Sequence, residues 1–332
     1  MTKLRRAWLA WVNAWNDREL PWGIALVRIG LVLCLLWDLS WVGIERLVVP
    51  LWAPMQAGGW GDVLSRGDVP FVWLVLPPTA ESAWAIWGTL MVSISFVGLG
   101  ILPRLSTIVF VLLYAQTASI MDDADRGIDT MMRNVLLILW WSPAWEVLSL
   151  RAWWRTGSFL GDGAHHPAWA RQLLVLQLVV MYFGAGITKT GLGWMPWGGF
   201  TALYYILHDP AVARFDLGRS LDPLYFLTQF GSAITILWEY TSPLMLLFFW
   251  IREKPTTPGR FRDLCLRWHP ERLYVIVGAA FHILIAVGLN LGIFPFAMLA
   301  MYPAFAAPWA WNTWFKWLPG TLNPAPQIAD LG

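Results

Sequence analysis

LLVLQLVVMYFGAGITKTGLGW, residues 173–194, decides the fold. Its first sixteen residues hold no charge, and at about 1.5 Å per residue a helical run of this length crosses the ~30 Å hydrocarbon core of a bilayer. The first charge in the run is Lys189. The chain has only four lysines, and the other three (Lys3, Lys254 and Lys316) lie in polar, basic or terminal stretches. An ammonium set against a membrane-length apolar segment loses hydration, which disfavours its charged form. A lysine that is partly neutral can act as a base or nucleophile. A side chain that merely snorkels to the headgroups satisfies the same position without any chemistry.

Seven further apolar segments flank this run. The eight lie near 22–44, 82–101, 104–121, 129–146, 169–190, 229–250, 273–290 and 292–310. Composition agrees with a polytopic membrane protein: 58% of residues are hydrophobic and only 13% charged, against about a quarter charged in soluble domains. The 26 tryptophans sit largely at segment ends, where amphipathic rings anchor at the interface. The expected fold is therefore an all-α membrane helical bundle of about eight transmembrane helices. At the N-terminus Leu4, Trp8, Trp11 and Trp15 recur at helical spacing, with Lys3, Arg5 and Arg6 elsewhere on the wheel. This predicts an interfacial amphipathic helix over 1–20. A transmembrane domain over 21–312 and a short Pro-rich tail over 313–332 follow.

Charge placement orients the bundle. With eight helices, the basic N-terminus, Arg104, the group Arg151, Arg155 and Arg171, and the basic stretch from Arg252 to Arg272 all fall on one side. Lys and Arg favour the cytoplasmic side, so both termini are expected there. The acidic cluster Asp122, Asp123 and Asp125 falls outside, as do two long loops, 45–81 and 191–228, which could cap a site. The net charge of +2 gives no footing for nucleic-acid binding. Cys34 and Cys265 are expected at different depths, so no disulfide is predicted, and no Cys/His spacing suggests zinc. The absence of a disulfide pattern and the compact loops favour a bacterial inner membrane.

Several ionisable side chains fall inside apolar segments: Arg28, Asp38, Arg133, Lys189, Glu239 and His282, with Asn134 and Asn290 as neutral companions. Such groups usually face the bundle interior and pair with one another. For Arg28, Asp38 and Glu239 a structural pair between helices is the expectation. Tyr182, Ala185, Gly186 and Lys189 share one helix face, so a hydroxyl, two small residues and an amine line up. Small residues there permit close helix packing or leave room for a flat ligand. His282 is the one histidine within a span, which disfavours a bis-histidine haem. No phosphate-cradling Gly loop, GxSxG or HExxH is present.

RQLLVLQLVVMYFGAGITKTGLGWMPWGGFTALYYIL (171–207) resembles the vitamin K-dependent gamma-glutamyl carboxylase superfamily, the horizontally transferred transmembrane (HTTM) family. The motif is a tyrosine-led YFxAG, two residues, lysine, a short spacer and tryptophan. Here these are Tyr182 to Gly186, Ile187 and Thr188, Lys189, and Trp194. FHILIAVGLNLGIFPFAMLAMYP (281–303) is similar to the family's Phe-His segment, and RNVLLILWWSPAWEVLSL (133–150) is a weaker match. The resemblance implies that Lys189 is the catalytic base. In the family this amine is taken to deprotonate a reduced quinone; oxygen adds, and the resulting alkoxide removes a γ-proton from glutamate, with carbon dioxide trapping the carbanion. Two departures stand out. Thr188 holds a position that is lysine in the carboxylase, and Asp129, Thr130 and Arg133 occupy the neighbourhood of the family's second catalytic histidine. A bacterial member lacking the carboxylase's large C-terminal lumenal domain is expected.

The leading expectation is thus a gamma-carboxylase-like enzyme, lyase or oxidoreductase, using a reduced vitamin K-like quinone. Lys189 is the base. Tyr182, Gly186, Trp194, Arg133, Asn134, Asp129, Glu239 and His282 line the cavity, and no metal takes part. Partners are membrane lipids, a lipid-soluble quinone and a peptide substrate on the outer face. A non-enzymatic lipid- or peptide-binding membrane protein is the second expectation, and a transporter the third; the lack of internal repeats weakens the third.

Overall fold

Long apolar runs bounded by Pro, Gly and capping side chains become helices here. In the computed structural model of the chain, the described residues are 17–61, 69–253 and 259–306, with residues 5, 8, 9, 12 and 15 before them. Those five isolated positions are helical. The rest of the expected N-terminal helix, and the tail over 313–332, lie outside the described residues. Helix dominates among the described residues; the only named strands there are β1 (Arg18–Glu19) and β2 (His166–Pro167), an antiparallel pair.

The chain divides into two compact units, the first Met1–Gln172 with Ala306–Gly332 and the second Leu173–Phe305. In the first unit, α1 (Trp22–Ile44) and α3 (Pro103–Ile120) both pack on α2 (Ala80–Leu99), and α4 (Gly127–Trp141) packs on α3 and α1. The boundaries are set locally. The Thr79 side chain accepts the Ser82 N–H and starts α2. Gly100, at φ 74°, ends it. A Cβ there would stand 2.7 Å from the Ser149 side chain, so glycine is needed for space as well as for backbone. Pro103 opens α3 in the first turn, where its missing N–H costs nothing.

Arg28 of α1 is fully buried. Its Nη1 donates to the Ala144 carbonyl at 2.7 Å and its Nη2 to the Leu148 carbonyl. It thereby binds α1 to the irregular stretch after α4. Leu33, Trp37, Trp41 and Ile44 stand exposed along α1 at three- to four-residue spacing. A stripe of large apolar side chains facing outward is the surface of a helix solvated by lipid.

The second unit holds most of α5 (Trp169–Thr188), then α6 (Tyr225–Tyr240), α7 (Ser242–Glu253), α8 (Arg260–Trp268), α9 (Pro270–Gly288) and α10 (Phe294–Met301). Among the described residues α1, α2, α5 and α9 are long and apolar enough to cross a membrane, and α6 with α7 makes a fifth crossing if counted as one bent span. The expected count of eight is therefore not reached by length and composition. Helix forms in each of the eight segments, but α4 has 15 residues, about 22 Å, and α10 with the 3₁₀ turn that continues it covers only Phe294–Phe305, about 18–20 Å. The expected span 229–250 is broken by 56° between Tyr240 and Ser242. Pro243 explains the break. It lacks an N–H, and its ring excludes the carbonyl four residues back.

Candidate functional site

Lys189 follows the last turn of α5, and Glu239 lies one residue before the end of α6. Lys189 Nζ donates to both carboxylate oxygens of Glu239, each at 2.7 Å, and to the Ala185 carbonyl at 3.4 Å. The carboxylate side chain is only 4% exposed and the lysine 22%. Gly186 makes this approach possible. A Cβ on it would lie 3.0 Å from the Glu239 Cβ and 3.2 Å from the Tyr240 nitrogen. The Trp194 ring, on a short 3₁₀ turn, lies 5.4 Å from the ammonium.

A second polar group lies deeper in the same unit. The Tyr182 hydroxyl is 2.9 Å from His282 Nε2 and 3.2 Å from the Tyr302 hydroxyl. His282 is fully buried and surrounded by the rings of Tyr182, Phe281, Phe294 and Tyr302. Its Nδ1 has no hydrogen-bond partner. Trp238 packs on Tyr182 at 4.4 Å between ring centres. Gly278 admits both neighbours, because a Cβ there would fall 2.2 Å from the Tyr302 hydroxyl and 2.4 Å from the Trp238 ring. Tyr302 and Trp238 were not singled out in the sequence. The Pro after Tyr302 and the acid after Trp238 were the nearest signals.

The remaining expected residues belong to the first unit. Asp129 is buried. It accepts from the Tyr114 hydroxyl at 2.7 Å and from Arg126 through backbone and guanidinium at 2.9 Å. Arg126 also reaches the Asp38 oxygens at 3.1 and 2.6 Å. Burial alone would weaken the Arg126 charge, but these carboxylate hydrogen bonds outweigh it and hold the guanidinium more firmly protonated than usual. Asp38, Tyr114, Asp125, Arg126 and Asp129 form the polar side of a cavity of about 250 Å³, whose apolar walls include Trp41, Leu51 and Trp52. Arg133 does not line it. Its guanidinium is paired in two-pronged fashion with Asp125 at 2.7 Å. Asn134 corrects an expectation: it is exposed, because α4 turns it away from the side that carries Asp129. Arg126 was missed, although its spacing to Asp129 is that of a helix cap.

Among the described residues no group of three or more His, Cys, Asp or Glu could hold a metal ion, and Cys34 and Cys265 are both free and buried. The HTTM domain family model matches residues 56–249, more than half of the chain. The chain belongs to the HTTM family. The match contains Lys189, Glu239, Tyr182, Trp194, Asp129 and Arg133, and it places this HTTM protein in the gamma-carboxylase-like superfamily. No curated protein and no solved structure matches the chain.

Proposed function

We propose that this HTTM protein is a membrane enzyme in which the Lys189–Glu239 pair accepts a proton from a reduced, vitamin K-like quinone. One observation carries the proposal: an ammonium held at 2.7 Å by both oxygens of a nearly buried carboxylate, at the lysine to which the resemblance assigns the base. The residues present fit a quinol headgroup. Trp194 offers a flat aromatic face beside the ammonium, and the pair offers both a donor and a proton acceptor. A quinol, when bound, supplies two electrons and two protons. Glu239 fixes the direction of the Nζ donors. For Lys189 to act as a base, its own proton first moves along the 2.7 Å contact to a Glu239 oxygen. Both groups are then neutral, a state favoured where solvation of charge is poor. The free Nζ lone pair accepts the hydroxyl proton.

A second function has its own supporting observation. All three Nζ protons already have acceptors, two on Glu239 and one on Ala185. Such a closed pair also suits a structural pin in a lipid- or peptide-binding protein. Mass spectrometry of molecules retained on the purified protein separates the two. A co-purifying quinone is expected; phospholipid alone, with no quinone even after incubation with quinol, would favour the binding protein.

We place both termini in the cytoplasm of a bacterial inner membrane: with all eight apolar segments counted as crossings, α3, α4 and α10 included, the basic stretches fall on one side. Asp123→Cys, in a variant lacking Cys34 and Cys265, is expected to react with a membrane-impermeant maleimide added to intact cells. Reaction only after cells are opened would reverse the topology.

A further inference from the structure

α8 carries a pattern that the site does not use. On a helical wheel Phe261, Leu264 and Trp268 fall on one arc, and all three stand out from the protein, with exposures of 58, 54 and 73%. Arg260 and Arg267 lie together on another side and are also exposed. The stretch from 252 to 272 carries six Lys or Arg against three acidic residues.

Position gives this helix its depth. It packs against the preceding α7. It ends at His269, whose left-handed backbone (φ 49°) turns the chain directly into α9, and Pro270 opens that helix. α9 is long and apolar enough to cross a membrane. A nine-residue helix set by a tight turn at the mouth of a span lies at the membrane–water boundary. There an outward apolar face has hydrocarbon to enter, and arginines on an adjoining side have headgroups to meet.

We propose that α8 is a membrane-surface foot. Phe261, Leu264 and Trp268 enter the acyl boundary of the leaflet, and Arg260 and Arg267 bind the phosphates of anionic lipids. Charge complementarity selects anionic lipid over a zwitterionic surface, because this connection and its flanks carry six cations against three acids.

The test uses the full chain in nanodiscs. A nitroxide is placed at Phe261→Cys, and separately at Trp268→Cys, in a background of Cys34→Ser and Cys265→Ser; the second site serves if the first variant does not fold. Collision with oxygen, which concentrates in lipid, is compared with collision with a water-soluble nickel chelate. Discs of phosphatidylcholine alone are compared with discs containing one quarter phosphatidylglycerol. Oxygen should dominate in the anionic discs. Replacing Arg260 and Arg267 with glutamine should reduce that preference by roughly fivefold for each residue, and high salt should mimic the loss. Dominance of the nickel chelate in both discs would overturn the insertion. Identical values in the two discs would overturn the anionic selection. A label shielded from both reagents would show that protein, rather than lipid, covers the helix, and would also overturn the proposal.

Discussion

Lys189→Arg is expected to lower quinol-dependent turnover by about 10²-fold or more, as far as Lys189→Ala does, while leaving the protein folded. A base must exist without its proton for part of the cycle, and arginine does not give its proton up in proteins. Arginine nevertheless keeps the charge and the reach, and its planar fork suits the two oxygens of Glu239. The ion pair between the end of α5 and α6 should therefore survive. A purely structural lysine makes the opposite forecast, since any long cation would serve. Oxygen- and quinol-dependent turnover in nanodiscs, with thermal stability measured on the same samples, checks the result. Near-wild-type turnover in Lys189→Arg would remove Lys189 from the chemistry.

Arg28→Ala should destabilise the first unit by about 2–6 kcal/mol, from one buried and one part-buried carbonyl each losing a partner at ~1–3 kcal/mol. Ala144 and Leu148 sit on irregular backbone after α4, where no helix ladder supplies a donor to replace the guanidinium. The side chain is also among the largest fully buried ones, so its removal leaves a void. Arg28→Lys keeps the charge but has no fixed fork, and should fall between the two. The apparent unfolding midpoint in detergent, followed by loss of monodisperse protein on heating, reads the difference. An Arg28→Ala variant as stable as the parent would mean that the two carbonyls find water instead.

The parts of this fold legible in the sequence were those written in hydropathy. α1, α2, α5 and α9 are long uninterrupted apolar runs, and each forms where the pattern puts it. The ends of spans were harder. Pro243 was visible, yet apolar residues continue on both sides of it, so hydropathy alone joins α6 to α7. α4 is likewise apolar beyond the point where the backbone stops being helical.

At the site, Lys189 was legible because a lone cation at the end of an apolar run is conspicuous. Glu239 is equally conspicuous as an acid inside a span, but its pairing with Lys189 is not legible, since it is 50 residues away and only packing brings the two helices together. Asp129 and Arg133 join Lys189 in the sequence only through the family resemblance, and Asn134 only as a polar residue inside an apolar segment. The structure instead gives Asp129 to an acid–base network with Arg126, Asp38 and Tyr114, held by contacts 3 to 88 residues apart. Gly278 was silent in the sequence. Its role emerges only when Tyr302 and Trp238 are seen against it.

The break after α6 bears on how the Glu239 carboxylate keeps its place. A proline inside a membrane helix frees backbone oxygens, and hydrocarbon offers them nothing. Here neighbouring donors take them up. The Trp238 carbonyl accepts from the Tyr274 hydroxyl, and the Glu239 carbonyl from the Thr241 N–H. The Ser242 hydroxyl ties the start of α7 to the Val179 carbonyl of α5. A corner braced on these sides behaves as a masonry bracket does, not as a door hinge. Glu239, one step before the corner, therefore meets Lys189 from a braced position.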